Sequence, residues 1–421
     1  MKSNIIAIFM LLATTLSVAA YTGVKKEFPD VFNLSGNNPV KNKPVKNNVE
    51  TLHHKRQKSV QQPSAMRNKI DVVFVLDTTG SMGGLIQAAK ENIWSIASSM
   101  AQAQGAPEIR MGLVAYRDRG DKYVTKVIDL SSDLDSMYAQ LMDFEAAGGG
   151  DGPESVNLAL SDAINKVSWA QNKDAYKVVF LVGDAPAHMD YPNELKYPEI
   201  IRRAKSKNIV VNAIQCGNDT GARNNWRHIV QLGSGDFFQV AQSGGAIVMT
   251  TPFDDKMAHL SKELDSTRLY YGSKELKRKK HNKILASMKL YASSSRASQA
   301  KRAAYNTSKS GEANLFGDAE LVEDISSGRV NLSSIEPEYL PEKMQLMSQE
   351  QQEEVIKYSS EKRTKLKKQI SELAARRSEY IRQEVTKKGN SENSLDEKIF
   401  RSIKKQAGEK GIVYLGDKAA L

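Results

Sequence analysis

A carboxylate and two hydroxyls alternate along one short stretch of the chain, at Asp77, Thr79 and Ser81. They follow an apolar run at 71–76, which predicts a buried strand. Side chains at alternate positions of a tight loop can converge on one point. All-oxygen donors of this kind suit Mg²⁺, Ca²⁺ or Mn²⁺ and do not suit Zn²⁺. The spacing therefore predicts a divalent-cation site, although Thr79 or Ser81 could instead cap the following helix.

Two further acidic residues are expected at the same place. Asp151 lies in a glycine-rich loop before a predicted helix, and Asp184 ends the apolar run 179–182 after Gly183. In an open parallel sheet, ligands bind outside the carboxyl ends of the strands, where the strand order reverses. Three carboxylates gathered there repel one another unless a cation neutralises them.

Asp118, Glu154 and His188 are candidates for contact with the cation's ligands, which they would orient and tune. Asp118 and His188 each follow a predicted strand at the same edge, and Glu154 follows the glycine-rich loop. Asp118 and His188 could equally be surface turn residues. Ser155 with His188 and Asp184 suggests a hydrolase only weakly, because no nucleophile elbow surrounds any serine.

The elements that must position these residues alternate between short apolar runs and helical spacing. Strands are predicted at 71–76, 110–116, 123–130, 177–182, 209–214 and 237–240, and helices at 85–100, 155–169, 197–205 and 225–232. This alternation predicts an α/β fold with a mostly parallel, doubly wound sheet that helices cover on both faces. The strand at 123–130 follows too closely for a helical crossover, so we expect it to be an antiparallel edge.

The motif at 73–82, Val-Phe-Val-Leu-Asp-Thr-Thr-Gly-Ser-Met, resembles the metal-ion-dependent adhesion site (MIDAS) of the von Willebrand factor A family, and Gly183-Asp184 resembles its later strand end. The resemblance covers roughly residues 68–252. It implies a six-stranded doubly wound sheet and a divalent cation, usually Mg²⁺, that a partner's carboxylate can complete. Asp77, Thr79 and Ser81 would be the first-loop ligands, and Asp184 would bind directly or through water.

One position departs from the family's pattern. Asp151 stands where the second loop commonly has Thr, so up to three negative charges would surround one dication. We therefore expect the site to retain metal and to attract an acidic partner less. The segments 116–121 and 185–190 look like those of an exported bacterial branch of the family with a basic helical tail.

The N-terminus is typical of an exported protein. A short basic start, an apolar run at 5–18 and small residues up to Ala20 predict a signal peptide at 1–20. The polar segment 21–67, which contains His53 and His54, is predicted to be a flexible linker. No other stretch is long and apolar enough to span a bilayer. The single cysteine, Cys216, excludes an internal disulfide and is expected to be buried. The predicted location is the periplasm or the exterior.

The remaining residues, 253–421, are predicted to form a basic, mainly α-helical region. The spacing of apolar residues predicts a long amphipathic helix at 353–385 with coiled-coil character, a second helix at 394–405 and a shorter element at 319–325. The tail could self-associate or, since the net charge is +11, contact an anionic envelope surface. The basic run 277–280 is interpreted as a solvated helix face. Export and the lack of interleaved aromatic residues argue against nucleic acid.

Two functions remain open. The first is an exported binding protein that uses its cation to engage a protein or cell-envelope ligand. The alternative is a metal-dependent hydrolase of phosphate or other anionic substrates, which would need His188 or Glu154 as a general base. The tripeptide Arg119-Gly120-Asp121 is known to engage integrins, but it falls where a turn is expected and is discounted.

Overall fold

The computed structural model describes residues 68–150, 152–242, 249–387, 395–414, 416 and 419. The predicted signal peptide, the predicted linker and Asp151 lie outside these residues. Among the described residues, no helix combines the length and the apolar character that a membrane crossing requires.

Six strands form one sheet in the order β3-β2-β1-β4-β5-β6. Their bounds are β1 Lys69–Asp77, β2 Glu108–Tyr116, β3 Thr125–Ser131, β4 Tyr176–Gly183, β5 Ile209–Cys216 and β6 Phe237–Val240. All neighbours are parallel except β2 and β3, which are antiparallel. The predicted fold class and the antiparallel edge are therefore confirmed.

Helices cover both faces of the sheet, so the central strands β1 and β4 are buried along almost their whole length. The first five are α1 Gly83–Ala101, α2 Leu134–Leu141, α3 Val156–Asn165, α4 Tyr197–Ser206 and α5 Thr220–Gly233. Helices α3, α4 and α5 pack on one face, and α1 and α2 pack on the other. Helix α2 was not predicted from the sequence, although the apolar residues of this helix have helical spacing. Helix α5 begins earlier than predicted because Asp219 caps it, accepting a hydrogen bond from the Ala222 N–H at 2.6 Å.

The strand order reverses beside β1. The chain passes from β1 through α1 to β2 on one side, whereas β4 lies against the other side of β1. The carboxyl ends of β1 and β4 therefore flank the switch point, where ligands bind in such sheets. Asp77 is the last residue of β1, and Asp184 directly follows β4.

In the described part of the chain, seven α-helices follow the sheet, which confirms the predicted helical region. They are α6 Asp254–Asp265, α7 Lys274–Ser293, α8 Arg296–Asn306, α9 Lys309–Phe316, α10 Leu321–Ser326, α11 Gln349–Lys387 and α12 Leu395–Gly408. The long helix α11 extends beyond the predicted 353–385. Its residues Leu366 and Ile370 are buried in a cluster with α6, α8 and α9. Much of the apolar stripe of α11 is thus covered within the chain, and self-association stays a prediction.

The helical region also completes the core of the sheet. Phe400 and Ile403 of α12 are fully buried in the cluster that contains β1 and α1, and so is Tyr305 of α8. Gln406 of α12 exchanges two amide hydrogen bonds with the buried Asn212 of β5, at 2.8 and 3.1 Å. One face of the sheet is therefore closed by residues from the far end of the sequence.

Candidate metal centre

Asp77 is fully buried where β1 ends. Its Oδ1 accepts hydrogen bonds from the backbone N–H and the hydroxyl of Thr79, at 2.9 and 2.7 Å. Its Oδ2 is buried and has no hydrogen-bond partner among the described residues. Burial outweighs the hydrogen bonds from Thr79 and, with a smaller contribution from the nearby Asp184 charge, raises the pKa of Asp77 to about 7. A bound cation would satisfy Oδ2 and favour the ionised carboxylate.

The loop after Asp77 brings the two predicted hydroxyls together. The hydroxyl oxygens of Thr79 and Ser81 lie 3.5 Å apart. Thr79 precedes a 3-10 turn at Gly80–Met82, and its side chain makes no capping hydrogen bond there. Residue Met82, not Ser81, occupies the N-cap position of α1. The capping interpretation is therefore wrong for both hydroxyls.

Glu154 brings a second unsatisfied carboxyl to the same edge. Its side chain is buried, and Oε2 has no hydrogen-bond partner among the described residues. Burial, together with the nearby charges of Asp77, Asp118, Asp121 and Asp184, raises the pKa of Glu154 to about 9. A cation that joined this cluster would favour the ionised form of the carboxyl.

The glycine-rich loop lies directly on the first loop. The Gly80 N–H donates to the Gly148 carbonyl at 3.0 Å. Gly149 has a positive φ of 82°, and a Cβ there would come within 3.2 Å of both Thr79 Cβ and Glu154 Oε1. Glycine thus allows the loop to bring Glu154 close to Thr79. Asp151, the predicted ligand in this loop, lies outside the described residues.

Asp184 is half-buried beside this group. Its Oδ2 accepts a hydrogen bond from Gln242 Nε2 at 2.5 Å, and the same amide nitrogen lies 3.4 Å from the Ser81 carbonyl oxygen. Gln242 follows β6 and carries no local sequence signal, so the sequence analysis missed it. Gln242 thus connects the Asp184 carboxylate to the loop that follows Asp77.

Asp118 and His188 lie against each other and not at the first loop. His188 Nε2 is 3.4 Å from Asp118 Oδ2, and His188 Nδ1 is 2.8 Å from Asp190 Oδ1. The His188 ring stacks on Tyr191, with 3.9 Å between centroids. His188 contacts the candidate centre through its backbone, since its N–H donates to the Glu154 carbonyl at 3.1 Å.

Two alternative chemistries find no support in the same region. Ser155 is fully buried, and its hydroxyl donates to Asp118 Oδ1 at 2.9 Å, so it points to a carboxylate rather than to His188. Cys216 is buried, as expected, and burial raises the pKa of its thiol far above the usual range. Neither residue is an activated nucleophile.

The Arg119-Gly120-Asp121 tripeptide is occupied by internal contacts. Asp121 Oδ2 accepts from the backbone N–H groups of Asp118 and Gly149, at 3.2 and 3.0 Å. The Arg119 guanidinium lies over the Tyr191 ring, 3.8 Å from its centroid. Asp121 therefore holds the two loops together, which agrees with its interpretation as a turn residue.

The donor set fits a hard cation. Asp77, Glu154 and Asp184 would supply carboxylate oxygens, and Thr79 and Ser81 would supply hydroxyls. Across the described part of the chain, no three His, Cys, Asp or Glu side chains are close enough to hold a metal ion by themselves. The observation that points to a cation is the pair of buried carboxyl oxygens, Asp77 Oδ2 and Glu154 Oε2, that have no hydrogen-bond partner among the described residues.

Comparison with known proteins agrees with this architecture. A family model described as the von Willebrand factor A domain matches residues 71–252. The chain thus contains such a domain, as the resemblance implied. Membership of an exported bacterial branch stays a prediction.

The similar proteins match a part of this chain and a small part of their own length. The von Willebrand factor A domain-containing protein 7 of Rattus norvegicus is 42% identical over 93 residues, which are 22% of this chain and 10% of that protein. An alpha-protein kinase, vwkA, of Dictyostelium discoideum is 28% identical over 122 residues, 28% of this chain and 19% of that protein. The chain therefore spans less than a fifth of either relative.

Among solved structures, proximal thread matrix protein 1 from the mussel byssus, with a zinc-occupied MIDAS motif, has a TM-score of 0.33 and 17% identity. The match covers 42% of each chain.

Proposed function

We propose that the von Willebrand factor A domain at residues 71–252 binds a divalent cation, Mg²⁺ in the first place, and uses it to engage a protein or cell-envelope ligand. Asp77, Thr79, Ser81, Glu154 and Asp184 would hold the cation. Asp151 remains a predicted ligand. The proposal rests chiefly on the two buried carboxyl oxygens, Asp77 Oδ2 and Glu154 Oε2, that have no partner among the described residues.

The chemistry of the donors selects the class of metal. Carboxylates and hydroxyls are hard oxygen ligands, which suit Mg²⁺, Ca²⁺ and Mn²⁺. The cation would supply a positive charge that stabilises the ionised forms of the buried carboxylates and a coordination position for an oxygen of the ligand. The protein holds the carboxylates in place and excludes water from Asp77 and Glu154.

The charge of the site restricts the ligand. Three carboxylates outweigh the two charges of one dication, so the occupied site would remain negative. An acidic side chain from a partner would meet this excess of negative charge, whereas a hydroxyl or a carbonyl oxygen would not. We therefore propose that a neutral oxygen donor completes the coordination, on a ligand met outside the cytoplasm as the predicted signal peptide requires.

The hydrolase hypothesis has less support. Both nitrogens of the His188 ring face carboxylates, Asp118 and Asp190, so the ring is already engaged on each side. Phosphoester turnover that depends on Mg²⁺ and disappears in His188→Ala would revive this hypothesis.

A matched pair of variants on one strand tests the cation. Asp71 and Asp77 are both fully buried on β1, at opposite ends. Addition of Mg²⁺ should raise the melting temperature of the wild type and of Asp71→Asn, and should leave Asp77→Asn unchanged. If Mg²⁺, Ca²⁺ and Mn²⁺ all fail to stabilise the wild type, the proposal is wrong.

The ligand can then be sought by affinity capture on the full chain. Captures from the exporting cell would be run with Mg²⁺, with a chelator, and with Asp77→Asn as bait. A ligand of this site would be lost in both of the last two captures. A ligand retained by Asp77→Asn would bind elsewhere on the protein.

A further inference from the structure

The carboxylate of Asp118 joins two loops of the candidate metal centre. Asp118 is 6% exposed in the loop that follows β2. Its Oδ1 accepts from the Ser155 hydroxyl at 2.9 Å, and both of its oxygens lie within 2.9 Å of the Tyr191 hydroxyl. His188 Nε2 is 3.4 Å from Oδ2.

These partners come from the two loops that carry the candidate ligands. Ser155 directly follows Glu154, whereas His188 and Tyr191 belong to the loop that begins at Asp184. The backbones of the two loops are also paired. The Glu154 N–H donates to the Pro186 carbonyl at 2.9 Å, and the His188 N–H donates to the Glu154 carbonyl at 3.1 Å.

Asp118 is suited to a fixing role because it is ionised. Burial opposes the charge, but hydrogen bonds from Tyr191, the Arg119 N–H and Ser155 outweigh it and hold the pKa of Asp118 below its usual range. Hydrogen bonds to an ionised acceptor are stronger than neutral ones. The Tyr191 ring is itself held between His188 and Arg119.

We propose that Asp118 is a positioning residue that fixes the spacing of Glu154 and Asp184 and thereby makes the centre prefer Mg²⁺ over Ca²⁺. Mg²⁺ demands short bonds in near-octahedral geometry, while Ca²⁺ accepts longer bonds and irregular coordination. A rigid spacing favours the smaller ion, and a relaxed spacing removes that preference. The inference rests on the proposed function, since it assumes that the centre binds a divalent cation.

The test measures Mg²⁺ and Ca²⁺ affinities of the full chain by calorimetric titration. Asp118→Asn keeps the shape of the side chain and weakens its hydrogen bonds. Tyr191→Phe removes the hydroxyl and keeps the ring stacking. Asp71→Asn, at the opposite end of the sheet, is the matched control. Loss of contacts around metal ligands typically costs about 10- to 100-fold in affinity.

We expect Asp118→Asn to weaken Mg²⁺ binding by at least about tenfold and Ca²⁺ binding much less. Tyr191→Phe should likewise lower the ratio of Mg²⁺ affinity to Ca²⁺ affinity, and Asp71→Asn should leave this ratio unchanged. Loss of one negative charge alone would weaken both ions equally, so an unchanged Mg²⁺/Ca²⁺ ratio in both site variants overturns the inference. If Asp118→Asn does not fold, the ratio in Tyr191→Phe decides. A wild type that binds neither ion refutes the proposed function itself.

Discussion

Arg302 of α8 and Asp135 of α2 form a buried ion pair that joins the helical region to the sheet domain. Arg302 is fully buried and Asp135 is 5% exposed. The Arg302 Nε lies 2.6 Å from Asp135 Oδ1, and Arg302 Nη1 lies 3.0 Å from Asp265 Oδ2 of α6. One guanidinium therefore links three helices, and its ion pair with Asp135 joins residues that are 167 positions apart in the sequence.

Removal of this guanidinium should destabilise the whole protein. In Arg302→Met the two carboxylates lose their main buried partner, and a broken buried pair typically costs about 3–5 kcal/mol. The measurement is the free energy of unfolding in urea. Arg382→Met is the control, because its pair with Glu379 is exposed and contributes at most about 1 kcal/mol. Equal losses in the two variants would contradict the prediction.

The same pair gives stability a predictable dependence on pH. Burial raises the pKa of Asp135, but the charge and hydrogen bonds of Arg302 reverse the effect and hold it well below the usual range. A carboxylate with a lowered folded pKa contributes its full stability above the unfolded value, near 4, and loses it as the pH falls further.

The wild type and Asp135→Asn should therefore differ by a constant free energy of unfolding from about pH 8 to pH 5. Below about pH 4 the difference should shrink, by about 1 kcal/mol per pH unit. Urea denaturation at successive pH values measures both curves. A difference that stays constant down to pH 3 would show that Asp135 is not the titrating group.

Phe400 tests whether α12 belongs to the core of the sheet domain. Its side chain is fully buried against that core, so Phe400→Ala should cost about 3–5 kcal/mol. Tryptophan fluorescence should report the change, because Trp94 of α1 lies in the same cluster. Val413→Ala, at a side chain that is 51% exposed, should change stability by less than about 0.5 kcal/mol. An unaltered fluorescence transition in Phe400→Ala would mean that the sheet folds independently of α12.

Gly183 tests the packing around Asp77. A Cβ at this position would overlap the Tyr116 hydroxyl and lie 3.0 Å from Asp77 Oδ2. Gly183→Ala should therefore cost about 1–3 kcal/mol through overpacking and weaken Mg²⁺ stabilisation. The double variant Gly183→Ala/Tyr116→Phe removes the overlapping hydroxyl and should recover part of the loss. If the double variant is no more stable than Gly183→Ala, the overlap with the Tyr116 hydroxyl is not the cause of the loss.

Local patterns predicted the parts of the site that lie at strand ends. Asp77 and Asp184 follow apolar runs, and parallel strands bring their carboxyl ends to one edge. Glu154 was predicted as a contact of the ligands and as a candidate general base, but not as a ligand. Its importance comes from its burial beside Thr79, which depends on how the glycine-rich loop folds. Gln242 reaches the site from the segment that follows β6, and no local sequence pattern indicated it.

The sequence by itself determined the six strands and the position of the candidate ligands at the strand ends, because hydrophobic period and strand-end residues are local properties. It also identified α11 as one long amphipathic helix. Only the tertiary structure decided what covers that helix and that α12 closes the sheet. Contacts such as Gln406 with Asn212 join residues far apart in sequence, and a periodic pattern shows that a face is apolar without showing what it packs against.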